Sequence, residues 1–256
     1  FNRAVRAPNV AELFTVQALG LWGGVDPCAT TAPDYSAEQC ARTGVTAEQY
    51  GNIGASPADQ YNQLTSGNPN LDAEEADTIT IGLVLDPMEN LTVSIDYWNI
   101  EIENTIAAKG SENIIRQCAE NGNFCDLITR SPTTGSLWQG ENGFVFNETD
   151  NIGTNTWEGV DVAASWMLDA AGGTFSARLA GTFMLTKEVE ILEGQAYDCV
   201  GLVSTRCYPS PEWRHTATLS YDSNEWWAAT ARWRYFDGVD YDGSLTGSIS
   251  TGVDQI

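Results

Sequence analysis

The chain contains 256 residues, of which 35 are acidic and 12 basic, so its formal net charge at pH 7 is −23 and its pI is near 4.1. This acidity argues against nucleic acid as a partner, because proteins that bind phosphates neutralise them with lysine and arginine. No run of 18 apolar residues occurs, which excludes a transmembrane helix, while 42% hydrophobic residues and 24 glycines fit a soluble β protein as well as a membrane one.

Both ends of the chain resemble the interior of a longer domain. The opening FNRAVRAPNV lacks the hydrophobic region of a signal peptide, and the closing STGVDQI lies in a polar stretch, not on a completed strand. The sequence therefore predicts that residues 1–256 are part of one domain that is truncated at both ends.

Three long polar segments, 7–75, 107–155 and 191–212, contain all six cysteines. Six cysteines allow many connectivities, and a local one is preferred because two cysteines share each segment. The predicted pairs are Cys28 with Cys40, Cys118 with Cys125, and Cys199 with Cys207. Zinc is the competing interpretation, but no C-x-x-C pair occurs and the chain contains a single histidine, His215. Three disulfides imply an oxidising compartment such as the periplasm or the cell exterior.

These segments are longer than ordinary loops, so we expect them to contain structure of their own. Within the second segment, residues 111–121 predict a short helix. Its apolar side would consist of Ile114, Ile115 and Cys118.

A first hairpin is predicted from apolar residues at alternate positions over 79–85 and 91–97, with turn residues over 86–90 between them. After Tyr97 the apolar positions slip by one residue, to Trp98, Ile100 and Ile102. Either a β-bulge near Tyr97 or the departure of the strand from a membrane would explain the slip.

Two further hairpins follow the same pattern. One combines 160–168 with 175–185 around the turn 169–173, and the other combines 213–221 with 227–235 around the turn 222–226. For the last hairpin we predict a register that places rings opposite rings at both ends and small residues in the middle. Its pairs are Trp213 with Tyr235, His215 with Trp233, Ala217 with Ala231, Leu219 with Ala229, and Tyr221 with Trp227.

One face of each predicted strand contains no charged residue, whereas the opposite face carries aspartates and arginines. Aromatic rings prefer the headgroup level of a bilayer, while its hydrocarbon core accepts any apolar group. Short turns also alternate with the long segments along the chain. These features predict an all-β fold: an antiparallel up-and-down transmembrane β-barrel with short periplasmic turns and long extracellular loops. The predicted aromatic belt consists of Trp166, Trp213, Tyr221, Trp227, Trp233 and Tyr235.

Four stretches resemble TonB-dependent outer-membrane receptors. They are AVRAPNVAELF at 4–14, GNPNLDAEEADTITIGLVLDP at 67–87, LTVSIDYWNIEIENTI at 91–106, and CAENGNFCDLITRSPTTG at 118–135. The resemblance implies a barrel of about 22 strands closed around an N-terminal plug, in the outer membrane of a Gram-negative bacterium. This chain would cover roughly the thirteenth to nineteenth strands, without the plug, the TonB box or the last strand.

The same resemblance implies a function and a set of partners. The function is active uptake of a scarce large nutrient, with energy supplied by an inner-membrane complex through TonB. The partners are outer-membrane lipid, the plug, the TonB complex and a small-molecule substrate. The substrate stays open between a ferric siderophore, an oligosaccharide, cobalamin and others.

Four arginines on the polar strand faces would line the lumen: Arg178, Arg214, Arg232 and Arg234. In the predicted register Arg214 lies opposite Arg234, which is unfavourable unless anions lie between them. We hypothesise that the arginines bind acidic groups of the plug. Contact with an anionic substrate and simple hydration are the alternatives.

Four aromatic residues in the long segments are candidate ligand contacts: Trp22, Tyr50, Trp138 and Phe144. Exposed rings could stack on a sugar or a siderophore, and the alternative is that they pack the loops together. His215 is predicted to be a neutral residue at the membrane interface. No nucleophile, acid–base pair or metal-ligand set stands out, so the chain is predicted to be no enzyme and to need no cofactor.

Two rival functions share part of this pattern. A passive outer-membrane porin would have the same wall without a plug. A secreted β-rich carbohydrate-binding domain would explain the tryptophans and disulfides, but its apolar faces would pack in a core and it would dissolve without detergent.

Overall fold

The computed structural model describes residues 1–192, 196–204 and 207–242. Parts of the third polar segment and the closing STGVDQI lie outside the described residues. The chain forms two compact units. The first contains Phe1–Val5, Glu75–Glu103 and the described part of 153–256, and the second contains Arg6–Glu74 and Asn104–Ile152.

The described strands, in chain order, are β1 Asn2–Arg6, β2 Ala18–Gly23, β3 Gln60–Thr65, β4 Glu74–Met88, β5 Leu91–Glu103, β6 Ile106–Ala108, β7 Ile128–Thr129, β8 Phe144–Phe146, β9 Thr149–Asn151, β10 Thr154–Ala170, β11 Gly173–Glu190, β12 Ala196–Asp198, β13 Leu202–Val203, β14 Trp213–Asp222, β15 Ala228–Phe236 and β16 Asp240–Tyr241. The α-helices are α1 Val10–Phe14, α2 Ala37–Arg42 and α3 Ser111–Asn121, and a 3₁₀ helix spans Cys125–Leu127. Among the described residues, no helix combines the length and the hydrophobicity needed to cross a membrane.

The first unit contains a sheet in the order β1–β4–β5–β10–β11–β14–β15, which we call the wall. β12 pairs with β11 beside this path, and β13 pairs with β16 in a short parallel ladder. All three predicted hairpins are present in the wall. β4, β5, β10 and β11 extend beyond the apolar alternation, since β10 runs over Thr154–Ala170 and β11 over Gly173–Glu190. They are longer because ladder hydrogen bonds need only the backbone, so pairing continues where the side chains no longer alternate.

The predicted register of the last hairpin is wrong by two residues. The structure pairs His215 with Tyr235, Ala217 with Trp233, and Tyr221 with Ala229. The turn selects this register: both the main-chain N–H and Oγ of Ser223 donate to the carbonyl oxygen of Trp227, at 3.1 and 2.7 Å. A shift by two leaves every side chain on the same face, so the alternation of apolar residues contains no signal against it.

The slip at Tyr97 is not a β-bulge. The ladders of β5 with β4 and with β10 run without interruption through Tyr97 and Trp98. Register shifts occur elsewhere, between Leu85 and Met88 and between Glu158 and Gly159. The polarity of the two faces therefore exchanges along a regular strand, which agrees with the second explanation, that the strand leaves the apolar layer there.

The second unit is built from the first two polar segments, which have the internal structure that we expected. β2, β3, β8 and β7 form a mixed sheet, and β6 pairs with β9. α3 spans the predicted residues, and its predicted apolar side, Ile114, Ile115 and Cys118, is fully buried. Together with Trp22, Tyr61, Leu137 and Val145, the two isoleucines form one core. A second core surrounds Cys28 and Cys40.

All three predicted disulfides are confirmed: Cys28–Cys40, Cys118–Cys125 and Cys199–Cys207. The first two belong to the second unit and the third to the wall unit. Each closes a short stretch of chain, with a sequence separation of 12, 7 or 8 residues, and all six sulfurs are used. The zinc alternative is thereby excluded.

Candidate functional site

The polar face of the wall, which carries Asp96, Asp161, Arg178 and Arg214, is the candidate site. Its central part follows from the register. Asp96 on β5 lies opposite Asp161 on β10, Asp161 opposite Thr182 on β11, and Thr182 opposite Arg214 on β14. One lateral row of the sheet therefore begins with two carboxylates and reaches a guanidinium two strands later.

A second row contributes two further arginines. Arg178 on β11 pairs with Thr218 on β14, and Thr218 pairs with Arg232 on β15. Arg234 pairs with Thr216. Arg214 lies opposite Phe236 and not opposite Arg234, so the predicted like-charge pair is wrong, a consequence of the two-residue error in register.

The four arginines share one further property. Within the described residues, none of Arg178, Arg214, Arg232 and Arg234 forms an ion pair or a side-chain hydrogen bond, although other arginines of the chain do. Arg214 and Arg234 are exposed. Their donors are thus free for groups outside this part of the chain, as every one of the three hypotheses for them requires.

Small side chains leave a depression of about 410 Å³ in the polar face. Ser94, Ala163 and Ala180 form the row next to that of the charged residues, and all three line the depression. Asp96, Asp161 and Arg214 also line it. The Asp96 carboxylate leans over Gly82, where an added Cβ would overlap it. This part of the wall can therefore accept a polar group that projects toward it.

The apolar face carries the six residues of the predicted aromatic belt, but they do not fall into two separate rows, one at each end of the strands. Trp213 and Tyr235 lie toward one end, and Tyr221 and Trp227 toward the other. Trp233 and Trp166 lie in rows between them, because the true register places Trp233 beside Ala217 and the β10–β11 pairing places Trp166 beside Ala177. Contact of these six residues with lipid headgroups stays a prediction.

His215 is part of an aromatic cluster on the apolar face. The Trp213 indole N–H donates to His215 Nδ1 at 2.8 Å, and the Tyr235 ring stacks on the imidazole at 5.3 Å. An Nδ1 atom that accepts a hydrogen bond carries no proton, so this contact requires the neutral imidazole with its proton on Nε2.

Gly181 makes the cluster possible. The Trp213 ring crosses the backbone at Gly181, where any Cβ would overlap it. We expect Gly181→Ala to displace Trp213, to break its bond to His215, and to destabilise the barrel by about 1–3 kcal/mol through overpacking. The measurement is the temperature at which the full-length protein in detergent loses its compact migration. Gly238→Ala is the control, because Gly238 has open space around it, and equal midpoints for the two variants would contradict this account.

The four aromatic residues of the long segments make contacts of the kind expected if they pack the loops together. Trp22 is 8% exposed and stacks on Tyr61 with ring centroids 5.2 Å apart. The Tyr50 hydroxyl donates to the Tyr35 carbonyl at 2.9 Å, and the Trp138 indole N–H donates to the Gly54 carbonyl at 2.8 Å. Phe144 begins β8 and is half-buried. Ligand contact by any of the four stays a prediction, and little of Trp22 is accessible for it.

Sequence reasoning missed the buried ion pair that joins the two long segments of the second unit. Arg130 donates to both carboxylate oxygens of Asp26, at 2.7 and 2.9 Å, and both side chains are at most 2% exposed. Arg130 also donates to the carbonyls of Thr43 and Gly135. The charges lie 104 residues apart in sequence, so no local pattern could have indicated the pair.

The second unit contains shifted pKa values at Glu12, Glu74 and Tyr35, among others. The Arg6 guanidinium, which bonds both Glu74 and Glu12, lowers the pKa of each carboxyl. Burial raises the pKa of Tyr35 to about 12, and its hydrogen bond to Glu120 adds to the effect. Among the described residues, no group of three or more His, Cys, Asp or Glu side chains is placed to hold a metal ion.

The Arg6 contacts predict an acid-sensitive stabilisation. The folded-state pKa values of Glu74 and Glu12 are lowered, so the contacts of Arg6 with these carboxylates stabilise the fold fully above the unfolded pKa near 4.5. This stabilisation is lost as pH falls through the lower folded pKa values. We expect Arg6→Gln to destabilise the second unit at pH 7 but to match the native protein near pH 2. Hydrogen exchange of this unit at the two pH values measures the difference.

Gln49→Ala is the control, because it removes neutral hydrogen bonds to the carbonyls of Ser131 and Pro132. It should lower the stability of the unit by the same amount at both pH values. A loss of stability in Arg6→Gln that persists at pH 2 would contradict the expectation.

An antiparallel meander with one apolar face, one polar face and short turns at one end is the wall of a transmembrane β-barrel. The family model described as TonB dependent receptor-like, beta-barrel, matches residues 1–253. The chain belongs to this family, whose members are receptors and transporters and not enzymes.

Solved structures that are similar to this chain include two siderophore receptors. The ferric enterobactin receptor PfeA of Pseudomonas aeruginosa, in a mutant form bound to enterobactin, is 15% identical with a TM-score of 0.49, and the match covers 92% of this chain and 25% of that one. The siderophore receptor PirA of Acinetobacter baumannii is 14% identical with a TM-score of 0.46, and the match covers 93% of this chain and 27% of that one. This chain thus spans about a quarter of the length of each. No curated protein matches it.

Proposed function

We propose that this chain is part of the barrel domain of a TonB-dependent transporter in the outer membrane of a Gram-negative bacterium. The plug, the TonB box and the remaining strands belong to the rest of the protein. The transporter binds a scarce large nutrient at the cell surface and imports it with energy supplied through TonB. The observation that carries the proposal is the two-faced antiparallel wall in a member of the TonB-dependent receptor family.

In this proposal each part of the chain has a role. The apolar face contacts lipid, with the aromatic residues toward the headgroups. The polar face lines the lumen, and its free arginines contact the plug. The second unit is extracellular, where an oxidising environment maintains its two disulfides. Tyr50, Trp138 and Phe144 are its candidate ligand contacts, since each residue is only partly buried.

The substrate stays open between a ferric siderophore, an oligosaccharide, cobalamin and related large nutrients. A wall of this kind does not select among them, since selection depends on the surface loops and the plug.

The test uses the complete gene product. Outer membranes are extracted with detergent, and the migration of heated and unheated samples is compared. Uptake of labelled candidate nutrients is then measured in cells with and without TonB. Heat-modifiable migration together with TonB-dependent uptake supports the proposal. A heat-modifiable protein whose uptake ignores TonB indicates a porin, and a water-soluble, heat-insensitive protein indicates a secreted binding domain.

A further inference from the structure

In the second unit, β2 is an edge strand without the usual protection against pairing. The sheet order is β2–β3–β8–β7, so among the described strands β2 pairs with β3 alone, and the register is regular. Its six residues include no charge and no proline, and the same holds for the whole stretch 16–25. Native edge strands normally use charges, proline or bulges to prevent the addition of another chain. The sequence of β2 is therefore suited to accept a further strand.

The outward main-chain groups of β2 can be located from its neighbour. The Leu64 carbonyl of β3 accepts from the Asn147 N–H at 2.8 Å, directly after β8, so the main-chain groups of Leu64 point away from β2. Leu64 is the cross-strand partner of Leu19. Such a pair is not hydrogen-bonded, and the direction alternates along a strand. The main-chain groups of Leu19, Leu21 and Gly23 therefore point outward from the sheet.

Most of these outward groups are available to a partner. The Gln63 side-chain amide donates to the Leu21 carbonyl at 3.1 Å. Among the described residues, the main chain of Leu19, Leu21 and Gly23 forms no other bond outside the ladder with β3. Three N–H groups and two carbonyls thus recur at every second residue, about 7 Å apart. Another extended peptide backbone has its own acceptors and donors at this spacing.

The side chains of the same strand supply an apolar surface. Leu19 and Leu21 are 43% and 58% exposed, so the chain does not cover this edge itself. Leu19 lies in one lateral row with Leu64 and Phe146, whereas Trp22 points to the opposite face and belongs to the core. A strand added to β2 extends this row. It covers both leucines when its own apolar residues alternate.

We infer that the edge of β2 binds the peptide backbone of an external ligand as an added strand. The inference rests on the proposed function and names the substrate class, a nutrient with an uncharged, extended peptide portion. An anionic ferric chelate requires cations, and an oligosaccharide requires polar side chains or an accessible ring. β2 presents none of these, since Trp22, its one aromatic residue, is 8% exposed.

The experiment measures hydrogen exchange of the β2 amides in the full-length protein in detergent. The probe is a mixture of capped, uncharged peptides of the same length as β2, with valine, leucine or phenylalanine alternating with threonine or serine. Exchange at Leu19, Leu21 and Gly23 is expected to slow by at least about tenfold. Exchange at Gly20 and Trp22, whose amides already face β3, should not change.

Two controls separate strand addition from general adhesion of the peptides. The same mixture with an N-methyl group on every amide donates no hydrogen bond and should leave exchange unchanged. Leu21→Lys places a charge on the edge and should abolish the effect, while Val25→Lys adds the same charge at an exposed position beyond β2 and should retain it. Unchanged exchange in the native protein, or equal slowing in Leu21→Lys, would overturn the inference.

Other occupants of the edge give distinct results. If the three outward amides are protected without peptide at every protein concentration, another segment of the same protein covers β2. Protection that disappears on dilution identifies a second copy of the protein. Either result would overturn the inference. Loss of TonB dependence in the uptake assay is a separate result, which contradicts the transport proposal while the exchange measurements still decide this one.

Discussion

Asp26→Asn is expected to destabilise the second unit by about 3–5 kcal/mol, because it leaves the buried Arg130 guanidinium without a counter-ion. The substitution conserves size, so the loss is electrostatic and not a cavity. Arg130 retains the carbonyls of Thr43 and Gly135 as acceptors, but neither carries a full charge. Hydrogen exchange of the α3 amides in the full-length receptor measures the opening free energy of this unit.

Two comparisons separate this explanation from others. Asp59→Asn removes an exposed carboxylate and should change the opening free energy by less than about 0.5 kcal/mol. The double variant Asp26→Leu with Arg130→Met should recover much of the loss, because an apolar pair of similar volume needs no counter-ion. An Asp26→Asn protein as stable as Asp59→Asn would show that the ion pair does not hold the two segments together.

Removal of the Cys28–Cys40 disulfide, by Cys28→Ala with Cys40→Ala, is expected to destabilise the second unit by about 3 kcal/mol. The bond closes a loop with a sequence separation of 12 residues and restricts the unfolded chain. Both cysteines are fully buried and pack with Ala29, Val45 and Ile53, so the variant also loses contacts in that core. The same exchange measurement, with and without reductant on the native receptor, checks the value.

The matched control is the third disulfide, removed by Cys199→Ala with Cys207→Ala. It has a comparable separation of 8 residues but belongs to the wall unit. Its removal should leave the exchange of the second unit unchanged. Equal losses from the two disulfides would mean that the units unfold together, and no loss from Cys28–Cys40 would mean that the surrounding core already restricts this segment.

The strands, the short turns and the disulfides were predictable because their signals are local. Alternation along 79–97, 160–185 and 213–235 follows from the geometry of a strand whose two faces meet different surroundings, and it locates each hairpin without knowledge of the others. The cysteine pairs are separated by 7 to 12 residues, so shared segments indicated them. Helix α3 was predictable for the same reason, since its apolar side repeats within three turns.

The candidate site was predictable only in part. The alternation places all four arginines on the polar face, but their neighbours depend on register. A two-residue shift moves Arg214 from Arg234 to Phe236 without moving any side chain to the other face. The decisive contact is one turn residue, Ser223, whose hydroxyl binds the Trp227 carbonyl. Many residues in polar turns can make such a bond, so the sequence does not indicate which of them does.

The sequence by itself determined what neighbouring residues decide: the antiparallel wall, its two faces, the local disulfides and the membership of a receptor family. The tertiary structure alone decided what depends on residues far apart in the chain. It placed Asp96 opposite Asp161, joined Asp26 to Arg130 across 104 residues, and buried Trp22 against Tyr61. It also left the four arginines of the polar face without a side-chain partner among the described residues. The physical reason is that alternation specifies a face and not a partner, since side chains repeat every two residues while cross-strand pairing can shift by any even number.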